Sequence, residues 1–187
     1  MRRNTMCIRR VIIVRGLPSA GKSTLSNKLL KEFQEDNHDK LSDIYSTDDY
    51  FIHNGEYKFD GRQLTQAHDW NRSRFERAIR NDYDLIVVDN TNTQFWEVVA
   101  YVSVALNAGY TVEFCEPDTP WATNLDELFE RNTHKVPYDA IQKMLGRWES
   151  TRDIMIGCAE KFGCEIDFEK NMVYNIEDRM FLLAGGY

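Results

Sequence analysis

Apolar residues follow two rhythms along this chain. Residues 11–14 (VIIV) and 85–88 (LIVV) are unbroken apolar runs rich in β-branched side chains. They are too short for helices and read as strands buried on both faces. Residues 44–47 and 111–115 are further short strand candidates, and a last strand is expected near 172–175. Between these runs the apolar spacing changes to three and four. Leu25, Leu29 and Phe33 predict a helix from 24 to about 33. Leu64, Ala67, Phe75, Ala78 and Ile79 predict one over about 60–80, and Phe95, Val98, Val99, Val102 and Leu106 one over 95–107. A short helix is expected over 124–132. From Pro137 a single stripe through Ile141, Met144, Leu145, Trp148, Met155 and Ala159 runs to about residue 160. The polar segment 34–43 reads as a surface loop and Asn54-Gly55 as a turn.

Strands alternating with helices predict an α/β fold: a parallel sheet covered by helices on both faces, in one domain spanning residues 1–187. Such sheets bind ligands at the C-terminal ends of their strands, so the residues just after each strand carry the chemistry. After the first strand the chain reads Gly16, Leu17, Pro18, Ser19, Ala20, Gly21, Lys22, Ser23, Thr24. Residues 16–23 match G-x-x-x-x-G-K-[ST] at every fixed position, between a strand and a helix N-terminus as that pattern requires. Backbone N–H groups and the helix dipole favour phosphates there. Lys22 is placed for the β- and γ-phosphates of ATP and Ser23 for Mg²⁺.

Composition narrows the reading. The net charge of −7 argues against broad coating of nucleic acid, although arginines gather over residues 2–15 and 62–80 and leave room for a local basic site. The apolar run after the basic N-terminus is too short for a signal peptide or a membrane span. Cys7, Cys115, Cys158 and Cys164 lack zinc-ligand spacing, so reduced thiols in a cytoplasmic protein are expected.

After the second strand comes Asp48-Asp49-Tyr50, and after the 85–88 strand comes Asp89-Asn90-Thr91-Asn92. Carboxylates beside Mg-ATP can hold the metal or take a proton from an attacking hydroxyl. Asp48-Asp49 can also cap a helix. A hydrolytic motor would carry Glu at the position of Asn90, and a guanine-specific switch would show Asn-Lys-x-Asp, which is absent. A phosphotransferase instead needs an acid near the acceptor and a mobile basic lid, and residues 131–135 (RNTHK) suit the lid. His68 and Asn71 share the buried face of the 60–80 helix; they either brace the interior or reach the acceptor. Tyr50, Phe51, Tyr57 and Phe59 either stack on a base or pack that helix onto the sheet.

"GLPSAGKSTL", "STDDYF", "AHDWN", "VVDNTNT", "GYTVEF", "PW", "ELFERNTHKVP" and "MLGRWE" follow one another over residues 16–149. Together they resemble the P-loop kinase family that includes polynucleotide 5′-hydroxyl kinases, in the animal branch whose kinase domain sits in a ubiquitin-ligase-binding protein. The resemblance implies a P-loop kinase fold with a short helical lid and transfer of the γ-phosphate of ATP, with Mg²⁺. The acceptor it implies is a hydroxyl, foremost the 5′-OH of a DNA or RNA end. It implies Asp48 as general base, Asp89 with Ser23 at the metal, and Arg131 as the lid cation. Asp48, Asp49, Tyr50, His68, Asn71, Asn90 and Asn92 are the candidates for touching the acceptor. This chain departs from the family in having Ser19 where Gly is usual, Phe51 where phage enzymes have Arg, and a shorter lid in which His134 or Lys135 would have to serve. These departures leave a nucleoside, a nucleotide or another small metabolite as an alternative acceptor, and a nucleotide-binding interaction module without turnover as a reading from another class. Residues 161–187 lie outside the resemblance, as an extension with no role assigned.

Overall fold

The computed structural model describes residues 9–176; the N-terminal run that holds Arg2 and Cys7, and the last eleven residues of the C-terminal extension, lie outside the described residues. Four strands form the parallel centre: β1 (Arg10–Val14), β2 (Ser42–Ser46), β5 (Leu85–Asp89) and β6 (Thr111–Cys115). They lie side by side in the order β2, β5, β1, β6. Alternate residues point to opposite faces. On one face Ile12, Val14, Leu85 and Val87 bury against Phe33, Leu25 and Leu29 of helix α1 (Lys22–Asp36). On the other, Val11, Ile13, Ile86, Val88, Val112 and Phe114 bury against helices α2 (Leu64–Arg80), α3 (Phe95–Asn107) and α6 (Thr151–Phe162). Burial on both faces is the reason the central strands read as solid apolar runs.

The sheet departs from an all-parallel arrangement at one edge. The extension folds into β7 (Glu165–Asp167) and β8 (Met172–Tyr174), and β8 runs antiparallel to both β6 and β7. These strands are three residues long, too short for a period to register. The single helix expected over 137–160 is two: α5 (Tyr138–Gly146) and α6. Its stripe is continuous, but the halves bury in different places, Ile141 under the lid and Met155 against the sheet. Ser150 starts the second half, its hydroxyl accepting from the Asp153 N–H at 3.1 Å. The loop expected over 34–43 is shorter, because α1 runs on to Asp36 and β2 begins at Ser42. The N-terminal turn of the 60–80 helix is a 3₁₀ turn over Gly61–Gln63. Asn54-Gly55 is the turn of a small hairpin, β3 (Ile52–His53) with β4 (Glu56–Tyr57), both turn residues having positive φ.

A third, smaller core joins α4 (Leu125–Glu130) and α5 to the glycine loop, through Leu17, Ala20, Leu128 and Ile141 with Trp121 and Trp148 alongside. Among the described residues no helix is long and apolar enough to cross a membrane. Cys115, Cys158 and Cys164 are free thiols, and burial pushes Cys115 and Cys158 up to about 12, which leaves them protonated and unreactive.

Candidate active site

The loop 16–23 leaves the C-terminal end of β1 and turns directly into α1. Gly16 is required by closeness: a Cβ there would lie 2.9 Å from Lys22 Cγ and 3.2 Å from Pro117 Cδ. Gly21 is required by conformation, since it caps α1 at φ 101 with no side-chain cap. Ser19 holds φ 65, the left-handed region in which glycine is at ease and serine is not. The Lys22 ammonium donates to the Leu17 carbonyl at 2.9 Å, folded back over its own loop. Burial pushes its pKa down, while the negative charges of Asp89 first and Asp48 second pull it back up.

Those two carboxylates come from the ends of different strands. Asp89, the last residue of β5, is buried; burial raises its pKa, against the Lys22 charge and the Ser23 hydroxyl. Asp48 stands in a 3₁₀ turn, Thr47–Phe51, that follows β2. The cap of that turn is Ser46, whose hydroxyl accepts from the Asp48 N–H at 3.3 Å, so the aspartate pair does not cap it. The pair divides. Asp49 is ion-paired to Arg74 at 2.8 Å, while among the described residues the Asp48 carboxylate accepts only a phenolic hydrogen bond, from Tyr57 at 3.2 Å. Burial, and then the Asp48 charge, raise the Tyr57 phenol, which keeps it a donor.

The other candidates are dispersed. Asn71 is fully buried and donates to the Tyr45 carbonyl at 3.5 Å and to the Tyr101 hydroxyl at 3.4 Å, a bracing position. Asn90 Oδ1 accepts from the Thr47 N–H at 2.9 Å, tying the end of β5 to the start of the Asp48 turn. Asn92 is buried and donates to the Val14 carbonyl at 2.9 Å, so its side chain is committed to the root of the glycine loop. His68 does not share the buried face expected for it: it is exposed, with its Nδ1 3.3 Å from the Thr47 hydroxyl, and the partial covering of its ring lowers its pKa by desolvation. Of the aromatics, Phe51 is buried and packs edge-on or tilted against Tyr50, Tyr57 and Phe59; Tyr50 stands edge-on to Trp70. They knit the hairpin to α2.

Arg131 ends α4. Its Nε donates to Glu127 at 3.0 Å and its guanidinium lies 4.0 Å over the Trp121 ring. Asn132 binds the Val136 carbonyl at 2.6 Å and closes the lid turn. His134 sits edge-on to Tyr57 at 4.6 Å, so lid and hairpin touch beside Asp48. Lys135 is exposed with positive φ. The donor set fits Mg-ATP: a loop narrowed by Gly16, one cation, and oxygen donors from Ser23 and Asp89, the hard ligands Mg²⁺ takes in small number beside phosphates.

Arg15 was invisible in the sequence except as one of a basic cluster. Its side chain is fully buried and pairs with Glu116 at 2.9 Å. It also donates to the Asn92 carbonyl at 2.9 Å, the Glu149 carbonyl at 2.6 Å and the Thr151 hydroxyl at 2.5 Å, and its guanidinium lies 4.5 Å over Trp148. The one available signal was its place between a buried strand and the glycine. Glu149 in turn accepts from the Phe95 N–H at 2.8 Å, so the "GRWE" stretch clamps the start of α3. Trp121 and Thr119 were missed as loop contacts: the indole donates to the Ser19 carbonyl at 3.1 Å and the threonine to the Ala20 carbonyl at 3.0 Å.

The family described as AAA domain matches residues 11–151. Human NEDD4-binding protein 2 (Homo sapiens) is 38% identical over 169 residues, 90% of this chain and 9% of that protein. The 2′,3′-cyclic-nucleotide 3′-phosphodiesterase of Mus musculus is 28% identical over 134 residues, 72% of this chain and 30% of that protein. The chain thus spans only a minor part of these curated relatives. A chain of the Pnkp1/Rnl/Hen1 RNA repair complex superposes with a TM-score of 0.55 at 17% identity, over 87% of this chain and 49% of that one, which is a likeness of fold.

Proposed function

The chain belongs to the AAA-domain family, in its P-loop kinase-like form, and from that premise we propose that it transfers the γ-phosphoryl of ATP to a hydroxyl, with the 5′-OH of a DNA or RNA end as acceptor. The observation that carries the reading is convergence. Lys22 in the glycine loop feels the charges of Asp89 and Asp48, which arrive from the ends of two other strands, and among the described residues Asp48 makes no ion pair while Asp49 pairs with Arg74. A free carboxylate beside a phosphate loop is the feature a kinase needs and a scaffold does not.

In this reading the loop N–H groups and Lys22 would bind the phosphates, and Ser23 and Asp89 would hold Mg²⁺. Bound there, Mg²⁺ would supply positive charge beside the transferred group. Asp48 accepts the hydroxyl proton as the new O–P bond forms and the bond to the β-phosphate oxygen breaks, releasing ADP. Arg131, carried on the Trp121 ring, balances charge at the transferred group. The similar fold found in an RNA repair complex supports a nucleic-acid end as acceptor.

A smaller hydroxyl acceptor is favoured by a different observation. The cations on the acceptor side are already paired: Lys58 with Glu56, Arg62 with Asp60, Arg72 with Asp69, Arg74 with Asp49. The experiment that decides is transfer from γ-labelled ATP to a 5′-hydroxyl oligonucleotide, a nucleoside and water in parallel. Label on the oligonucleotide supports the first reading. Label on the nucleoside alone supports the second, and no label on any hydroxyl defeats both.

A further inference from the structure

Trp121 touches the glycine loop through its N–H and Arg131 through its ring face. Its indole N–H, the one polar group of its side chain, donates to the Ser19 carbonyl at 3.1 Å. The peptide that follows that carbonyl donates its N–H, from Ala20, to the Leu17 carbonyl at 3.1 Å. The Leu17 carbonyl also accepts the Lys22 ammonium at 2.9 Å. A peptide is planar, so fixing its C=O fixes its N–H. The indole therefore acts through one peptide on the carbonyl that holds Lys22. The face of the same ring carries Arg131 at 4.0 Å, a cation–π contact. The ring is seated in the small core beside Leu17, Ala20 and Leu128.

Ser19 explains the need for such an anchor. It holds φ 65, which a residue with a Cβ populates uncommonly. Glycine there would take that shape without the strain a Cβ imposes.

Resting on the phosphate-loop reading above, we infer that Trp121 is a positioning residue: its N–H locks the loop in its phosphate-binding shape, and its ring presents Arg131 to the same phosphates. The two contacts separate by substitution. Trp121→Phe keeps a ring and loses the N–H; Trp121→Leu loses both.

The test uses the full chain and four variants: these two, Ser19→Gly, and Ser19→Gly with Trp121→Phe. Mg-ATP affinity is measured by calorimetry, kcat by label transfer, and apo melting by calorimetric scan. Trp121→Phe should weaken Mg-ATP about fivefold, the size of one hydrogen bond, with kcat little changed. In the Ser19→Gly background the same change should cost less than about twofold, because glycine removes the strain the anchor opposes. Trp121→Leu should in addition lower kcat about tenfold. Equal losses in the two backgrounds, or lower melting temperatures with affinity and kcat unchanged, would overturn the inference. If the parent chain binds no Mg-ATP, the phosphate-loop reading falls instead. The apo melts still decide the anchor: a smaller drop in the Ser19→Gly background supports it and an equal drop refutes it.

Discussion

Adjacent aspartates, one turn, two fates: Asp49 lies against Arg74 at 2.8 Å, and Asp48 is left with the Tyr57 hydroxyl at 3.2 Å. Both were legible as an acidic pair after a strand. Which of them is free was not, because Arg74 is twenty-five positions away on α2. Asn92 shows the same limit: a polar residue after a buried strand reads as a ligand group, yet a carbonyl of β1 takes its side chain. Asp49→Asn should lower stability by about 1 kcal/mol, as expected for a partly exposed ion pair, and lower transfer far less than a change at Asp48; urea unfolding and label transfer measure the two effects. His68 gives a pH prediction. Desolvation holds its folded pKa below the ordinary 6.5, so the unfolded chain takes up the proton first. The unfolded state then binds more protons, and stability falls as pH drops below about 6.5. His68→Gln should flatten the melting temperature between about pH 7 and 5 relative to the parent; an unchanged slope would exclude His68 as the source.

At the scale of elements, β1, β5 and α3 could be placed from sequence because burial on two faces or one stripe leaves a pattern longer than a turn. The two-residue strands of the hairpin and the three-residue strands β7 and β8 leave none. The break between α5 and α6 was hidden by apolar residues that continue across it while Arg147, Glu149 and Thr151 turn to tertiary partners. Arg147 donates to the Thr93 hydroxyl at 3.1 Å, and Arg15 takes the Glu149 carbonyl and Thr151 hydroxyl. Arg15 thus ties the end of β1 to the segment after β6 through Glu116, to the loop after β5 through Asn92, and to the start of α6. Arg15→Ala should cost about 3 to 5 kcal/mol in urea unfolding, since it empties a buried space and leaves several acceptors without a donor. Arg15→Lys should recover little of that, because an ammonium cannot span the same fork of partners. A loss under about 1 kcal/mol for Arg15→Ala would show that the network is not holding these elements together.

For the whole molecule, the parallel order β2, β5, β1, β6 brings three strand ends to one edge, and with them Asp48, Asp89 and the glycine loop. That gathering was legible because topology follows from alternating strands and helices. The acceptor was not, because it depends on how surface cations pair. The net charge of −7 sharpens the test. A polynucleotide held at several phosphates requires a local basic path, and kcat/KM should then fall steeply between about 50 and 200 mM salt through counterion release; a nucleoside acceptor should give a shallow profile. The central claim, a phosphotransferase that takes its acceptor's proton on Asp48, is tested most directly by single-turnover transfer from γ-labelled ATP to a 5′-hydroxyl oligonucleotide. The parent and Asp48→Asn are compared at saturating ATP, with ATP binding measured on the same preparations. The account predicts retained ATP binding and transfer slower by roughly 10²- to 10⁴-fold in the variant, the size of a general-base contribution. Transfer at the parental rate by an Asp48→Asn protein that binds ATP normally would contradict it.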